Sequence, residues 1–291
     1  MNVLHTNIAQ LRRFLADHPR LVVLSGAGIS IASGIPAYRD REGVWRHSTP
    51  ITHQEFIADP DSRARYWARS MLGWPMVRDA RPNAAHLALA QLEQCGHIRL
   101  LITQNVDRLH QRAGSVAVVD LHGRVDQVRC IQCDVSVTRE HIQRRLLRDN
   151  PGRARDTGQM RPDGDAEVDA ERVATLSPPG CGVCGGTLIP DVVFFGGTVP
   201  RERVRRCTDA LARSDALLVV GSSLQVFSGF RFCRIARELG KPLAIINPGS
   251  TRADDLAELK LEADCGPLLS ALAAGLTALK SPHSYAAGNP S

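Results

Sequence analysis

The feature that most limits the fold is a set of short apolar runs, each ending in Gly, Ser, Asn or Asp. They are LVVLSGAG from Leu21, IRLLITQNVD from Ile98, VAVVDLHG from Val116, ALLVVGSS from Ala216 and PLAIINPG from Pro242. Each is too short for a helix and is rich in Val, Ile and Leu at successive positions, so both faces of a strand would be apolar. Such strands belong in a parallel sheet covered on both sides. Between them, AAHLALAQLEQCG and SGFRFCRIARELG carry helical spacing and end in Gly, a common helix stop. Strand and helix in alternation predict an α/β fold with a doubly wound, Rossmann-like parallel sheet.

Two stretches interrupt the alternation. Residues 41–81 read as a polar helical module with Trp45, Trp67 and Trp74; residues 124–186 hold two CxxC pairs and a charged middle. Together they are expected to form a smaller inserted domain, a zinc ribbon with a helical module. The Rossmann-like domain would comprise 1–40, 82–123 and 187–278. The small, polar segment 279–291 is expected to be a disordered tail. The start of the chain reads as an amphipathic first helix with Leu4, Ile8, Leu11 and Leu15 on one face, without the apolar core of a secretory signal. No run of apolar residues is long enough for a bilayer span. The expectation is a cytoplasmic monomer with no membrane partner.

Net charge is +6, with the basic excess gathered around Arg139 to Arg161, and aromatics are only 4% of the chain. That leaves little for base stacking, so the basic stretch reads as a solvated helix and nucleic acid is not the expected partner.

Cys130, Cys133, Cys181 and Cys184 form the two CxxC pairs, while Cys95, Cys207, Cys233 and Cys265 stand singly. Two residues between thiolates let both sulfurs reach one ion, and two such pairs close a tetrahedral site with no open position. A closed Cys₄ site is structural, and its ligand softness selects zinc.

At the end of the first strand, Gly26-Ala27-Gly28-Ile29-Ser30 suits a tight turn close to a pyrophosphate, met by N–H groups at a helix start. Ile31 stands where a dehydrogenase fingerprint would have its third glycine, and Ser33-Gly34-Ile35-Pro36 stops the helix at once. The Tyr38 and Arg39 that follow suggest a flap over a dinucleotide and not a surface for hydride transfer. Two other strands end in Gln104-Asn105-Val106-Asp107 and in Leu121-His122-Gly123. Carboxyl ends of parallel strands share one crevice, so these groups converge with the glycine loop. His122 suits a general base near neutral pH. Taken singly it could equally be structural, and Asn105 or Asp107 could cap the next helix.

The stretches GAGISIASGIPAYR, TQNVDRLHQRAG, LHG, the two CxxC pairs, PDVVFFGG, GSSLQV and INPG occur in the order found in sirtuins. From about Leu21 to Pro267 the chain resembles that family. The resemblance implies cleavage of nicotinamide from NAD⁺ and transfer of an acyl group from a protein lysine to ADP-ribose, giving 2′-O-acyl-ADP-ribose. It implies a catalytic His122, with Asn105 and Asp107 orienting the ribose and the nicotinamide amide. NAD⁺ contacts carried over by position are Gly26, Ala27, Gly28, Ser30, Gly34, Ile35, Pro36, Tyr38, Arg39, Trp45, Gln104, Val106, Gly221, Ser222, Ser223, Asn247, Pro248, Gly249 and Cys265. Val193, Phe194, Phe195 and Gly196, with Leu224, Gln225 and Val226, resemble the segments that sandwich an extended acyl-lysine peptide as an added strand.

Within the family, the long spacer between cysteine pairs, RYWARSMLGWP, RPDGD and PDVVFFGGTV most resemble class II, the mitochondrial lipoamidase and ADP-ribosyltransferase branch. Tyr66 and Arg69 lie one helical turn apart, as in the desuccinylase branch, and could bind an acidic acyl chain; Arg69 could also be one more base on a basic helix. An acyl group longer than acetyl, lipoyl or methylglutaryl-like, is expected. The alternatives are a protein mono-ADP-ribosyltransferase and a non-catalytic zinc-containing module that senses NAD⁺ or binds nucleic acid. Three departures stand out. Gly221-Ser222-Ser223 replaces Gly-Thr-Ser, Phe227-Ser228-Gly229 lies where many relatives carry Pro, and Gly197 lies where an acid often follows.

Overall fold

The computed structural model describes residues 3–37, 50–151 and 176–280, with side chains to 275. The expected strands all form: β1 (Leu21–Ser25), β2 (Ile98–Thr103), β3 (Val118–Asp120), β7 (Ala216–Val220) and β8 (Leu243–Ile246), joined at the edge by β9 (Leu259–Leu261). They make one six-stranded sheet in the order β3-β2-β1-β7-β8-β9, parallel throughout. Every residue of β1, β7 and β8 is buried, as strands apolar on both faces require.

Alternation along β1 sorts the core into two layers. Leu21 and Val23 pack with Leu11, Phe14, Leu89 and Leu269, which come from helices α1 (Val3–Asp17), α4 (Ala84–Gln94) and α9 (Cys265–Lys280). Val22 and Leu24 point the other way, onto Cys207, Leu211, Phe232 and Ala236 of α7 (Arg201–Ala212) and α8 (Phe227–Glu238). From β1 the chain proceeds to β2 and β3 on one side and later to β7, β8 and β9 on the other. The order therefore reverses between β1 and β7, and a crevice opens there at the strands' carboxyl ends.

A second, three-stranded antiparallel sheet has the order β5-β4-β6, from β5 (Ser136–Thr138), β4 (Gly123–Cys130) and β6 (Leu188–Val192). It packs with α3 (Pro60–Asp79) and α6 (Arg139–Asp149) around Trp67, Met71, Val128, Ile142 and Leu188. Beside α3 runs the short α2 (His53–Ala58), begun by a capping box between Thr52 and Glu55. The basic segment is not wholly solvated. Arg139 is fully buried between Trp67 and Trp74, with its guanidinium carbon 5.6 and 5.4 Å from their ring centroids. Its Nη2 donates to the Ser70 carbonyl at 2.9 Å, and burial lowers its pKa to about 10. A fully buried cation held by two indoles and a carbonyl is part of this core, and cannot be read from charge counts alone. Among the described residues no helix is long and apolar enough to cross a membrane.

Candidate functional site

A cleft of about 810 Å³ runs along the carboxyl ends of the strands, a size usual for a small-molecule site. One end is built by the glycine loop. After β1 the chain makes a 3₁₀ turn, Ala27–Ser33, closed by Gly34 at φ +85°. Gly28 N–H donates to the Gly221 carbonyl at 2.8 Å, and a Cβ at Gly28 would lie 2.8 Å from that same oxygen. Only glycine permits the loops after β1 and β7 to touch backbone to backbone, which leaves the floor of the cleft open.

Behind that floor lies a polar network. Gln104 Nε2 donates to Ser222 Oγ at 2.8 Å, tying the end of β2 to the end of β7. Asn105 Nδ2 donates to the Gly26 carbonyl and to Ser30 Oγ, both at 3.1 Å. Ser30 Oγ donates in turn to Asp107 Oδ2 at 2.7 Å, while Asp107 Oδ1 accepts from the Leu109 N–H at 2.9 Å. Asp107 is thus a network member that also accepts from the first amide of the short helix Leu109–Arg112, whose N-cap position is Arg108. Burial pushes the Asp107 pKa above the usual carboxylate range.

His122 follows β3 at the centre of the cleft. Its Nδ1 lies 3.0 Å from the Gln104 carbonyl and its Nε2 lies 2.7 Å from Ser228 Oγ. A carbonyl only accepts, so Nδ1 carries the proton and the Ser228 hydroxyl donates to a bare Nε2. Burial lowers the His122 pKa from 6.5 to about 4, and the nearby Arg203 and Arg231 push it the same way. The ring is therefore neutral at neutral pH, with an unprotonated nitrogen available once Ser228 yields. Ser228, which takes the position where many relatives carry Pro, was not singled out as a site residue from the sequence. Nor were His86 and His110, whose rings lie 4.8 Å apart beneath the loop, with His110 Nε2 2.8 Å from Ser25 Oγ. Both are held neutral by burial, His86 with a pKa lowered to about 4 and His110 well below the ordinary imidazole value.

Of the expected nucleotide contacts, Gly26, Ala27, Gly28, Gln104, Asn105, Val106, His122, Gly221, Ser222, Ser223, Asn247, Pro248, Gly249 and Cys265 line the cleft. Ser30 and Asp107 lie behind its wall through the bonds just described. Gly34, Ile35 and Pro36 are not on the wall; Ile35 packs instead with Trp74, Val77 and Leu109. Tyr38, Arg39 and Trp45 fall outside the described residues. At the other end, Val193, Phe194, Phe195 and Gly196 face Leu224, Gln225 and Val226 across the cleft's mouth. Val193 N–H donates to the His122 carbonyl at 2.7 Å, so the first of these segments is anchored next to His122. Tyr66 also lines the cleft, but Arg69, three residues further along α3, does not: it is buried, 6% exposed. The structure does not bring these two to one pocket wall.

The two cysteine pairs meet at the tip of the small sheet. Cys130 Sγ lies 3.5 Å from Cys184 Sγ, Cys133 Sγ lies 3.7 Å from Cys181 Sγ, and all four sulfurs fall within 4.8 Å of one another. Four sulfurs at the usual zinc distance from one ion would stand about 3.8 Å apart, so the cluster fits a tetrahedral zinc with little movement. Backbone N–H groups support the thiolates: Gln132 N–H donates to Cys130 Sγ and Val183 N–H to Cys181 Sγ, each at 3.4 Å. The Cys184 and Val183 amides bring the Cys181 thiol down to about 6.

Comparison with known proteins agrees with this geometry. The Sir2 family model matches residues 26–228. A Xanthomonas campestris protein named NAD-dependent protein deacetylase is 54% identical over 90% of this chain and 89% of its own length. A Bordetella bronchiseptica protein of the same name is 52% identical over 91% and 97%. Among solved structures, a Sir2 with p53 peptide and NAD⁺ superposes with a TM-score of 0.71 at 31% identity, over 90% of this chain and 95% of the other. A Sir2 variant with a deacetylated p53 peptide and 3′-O-acetyl ADP ribose gives 0.74 at 30% identity, over 92% and 98%. The family model, the sequence relatives and the superposed structures agree over most of the chain, and the chain belongs to the Sir2 family.

Proposed function

We propose that this chain is an NAD⁺-dependent protein-lysine deacylase with one structural zinc, and that His122 is its catalytic base. The observation that carries the reading is the position of His122. It lines one cleft together with the glycine loop and with the segments Val193–Gly196 and Leu224–Val226. In this reading the acyl-lysine oxygen attacks C1′ of the nicotinamide ribose as the bond to nicotinamide breaks. His122 Nε2 then takes a proton from a ribose hydroxyl, and the 2′-oxygen captures the acyl carbon. Hydrolysis releases the lysine amine and leaves 2′-O-acyl-ADP-ribose.

Gln104 and Asn105 are assigned to the ribose and nicotinamide amide, with Asp107 positioning Asn105 through Ser30. Val193 to Gly196 and Leu224 to Val226 are assigned to the main chain of an added peptide strand, which makes sequence preference loose. Cys130, Cys133, Cys181 and Cys184 would hold the zinc, which fastens the small sheet and activates no water.

The acyl group is read as longer than acetyl, in keeping with the class II resemblance. Tyr66 on the cleft wall supports that reading. The test is a panel of acetyl, lipoyl, succinyl and methylglutaryl peptides incubated with NAD⁺, with nicotinamide and O-acyl-ADP-ribose followed together. The expected result is acyl-ADP-ribose with a preference for a longer chain. A clear acetyl preference removes the chain-length reading, and labelled protein without acyl product would indicate ADP-ribosyl transfer instead.

A further inference from the structure

Among the described residues lining the cleft, Arg231 and Asp264 are the only Arg, Lys, Asp or Glu side chains. They belong to opposite halves. Asp264 adjoins Cys265 at the start of α9, whereas Arg231 is in the first turns of α8, one turn on from Ser228, which bonds His122. Among the described residues Arg231 forms no ion pair with an acid. Its guanidinium carbon rests 5.4 Å from the centroid of the Phe227 ring. Its Nε is buried and meets no hydrogen-bond acceptor among the described residues. Phe227 itself is 49% exposed at the mouth of the cleft. A planar cation resting on an aromatic ring at the cleft wall is suited to bind a carboxylate through its guanidinium N–H groups. Arg69, the residue that spacing alone offered for that task, is buried away from the cleft wall.

We infer that Arg231 is a carboxylate receptor, and that the favoured substrates carry an acid either on the acyl chain or on a residue flanking the modified lysine. The inference rests on the deacylase reading and narrows its substrate class. The chain's own groove agrees with it. Gly197 supplies no acid after the Phe194-Phe195-Gly196 segment, so the peptide side of the cleft offers a cation and no counter-charge. The pyrophosphate of NAD⁺ is the competing anion. The glycine loop assigned to it lies beside Gly221 and Ser222, whereas Arg231 lies on the His122 side.

Matched peptides decide the matter: butyryl against succinyl lysine in a neutral sequence, and acetyl lysine flanked by Asn against Asp. Initial rates are measured for the parent and for Arg231→Gln and Arg231→Lys. The parent should favour the acid of at least one pair by about tenfold or more in kcat/KM, the range of one charge-assisted hydrogen bond. Arg231→Gln should bring that ratio to about one, and Arg231→Lys should restore part of it. No acid preference in either pair, or a preference that survives in Arg231→Gln, overturns the assignment. So does a raised KM for NAD⁺ with the ratio intact, which would give the cation to the nucleotide. The two pairs separate the acyl source of the carboxylate from the flanking source. If no peptide releases nicotinamide, the deacylase reading fails by itself. Fluorescence anisotropy of the same peptides would still test the acid preference, with equal affinities counting against Arg231.

Discussion

The cysteine tip of the small sheet and the crevice of the large one both gather polar side chains, and they handle them in opposite ways. At the tip, four cysteine sulfurs gather within 4.8 Å of one another, with backbone amides donating to Cys130 and Cys181, an arrangement that suits an ion. In the crevice, burial holds His86, His110 and His122 neutral and raises Asp107, so the groups around the glycine loop carry little charge of their own. A region built around charge is rigid only when its ion is present. A region that excludes charge is preorganised while empty, at a cost in stability that appears when pH changes.

The comparison can be broken most severely at the tip. Cys181→Ala should abolish zinc retention, measured by elemental analysis, and unfold the small sheet, because structural zinc contributes on the order of 10 kcal/mol of folding free energy. Full metal content with an unchanged melting curve would show that the tip does not need its ion. In the crevice, Asp107→Asn should cut turnover by about tenfold or more. It should also raise the melting temperature by about 2–4 °C, since a carboxyl whose pKa is raised by burial opposes folding at neutral pH. A fall in both would make Asp107 a structural support only.

Acid separates the two regions further. The unfolded chain protonates its imidazoles near 6.5, whereas His86 and His122 hold out to about 4 in the fold. The unfolded state therefore binds more protons between those values. Stability should be flat above about pH 7 and decline steadily from pH 6.5 toward 4. Following zinc release alongside shows which region yields first; a melting temperature independent of pH over that window would contradict the neutral imidazoles. The smallest expected effect is at Ser228. Losing one hydrogen bond to His122 should lower kcat of Ser228→Ala about two- to tenfold with KM for NAD⁺ little changed, and Ser228→Thr should recover most of it. No recovery by the hydroxyl would point to packing and not to orientation of the ring.

What the sequence made legible was local. The runs LVVLS, IRLLIT and ALLVV carry strand and burial in the same residues, and CxxC carries its own geometry. The glycine loop and His122 could be placed because parallel strands share one open end. What was missed depends on partners far along the chain. Ser228 reaches His122 across 106 positions, and Arg139 reaches Ser70 across 69. Arg139 therefore read as one more surface base, although its place between Trp67 and Trp74 is set by how α6 docks on α3. Tyr66 and Arg69 show the reverse error. One helical turn of spacing made them neighbours on paper, yet α3 turns Tyr66 to the cleft and leaves Arg69 off its wall. The one visible hint was Phe227-Ser228-Gly229, which stood apart in the sequence as a departure from the family pattern and which places Ser228 beside His122.

His122→Ala is the most direct test of the central claim. Nicotinamide and O-acyl-ADP-ribose formation should fall by about 10²- to 10⁴-fold, the usual worth of a positioned general base, while NAD⁺ binding by calorimetry persists. Deacylation at the parent rate by that variant would contradict the account.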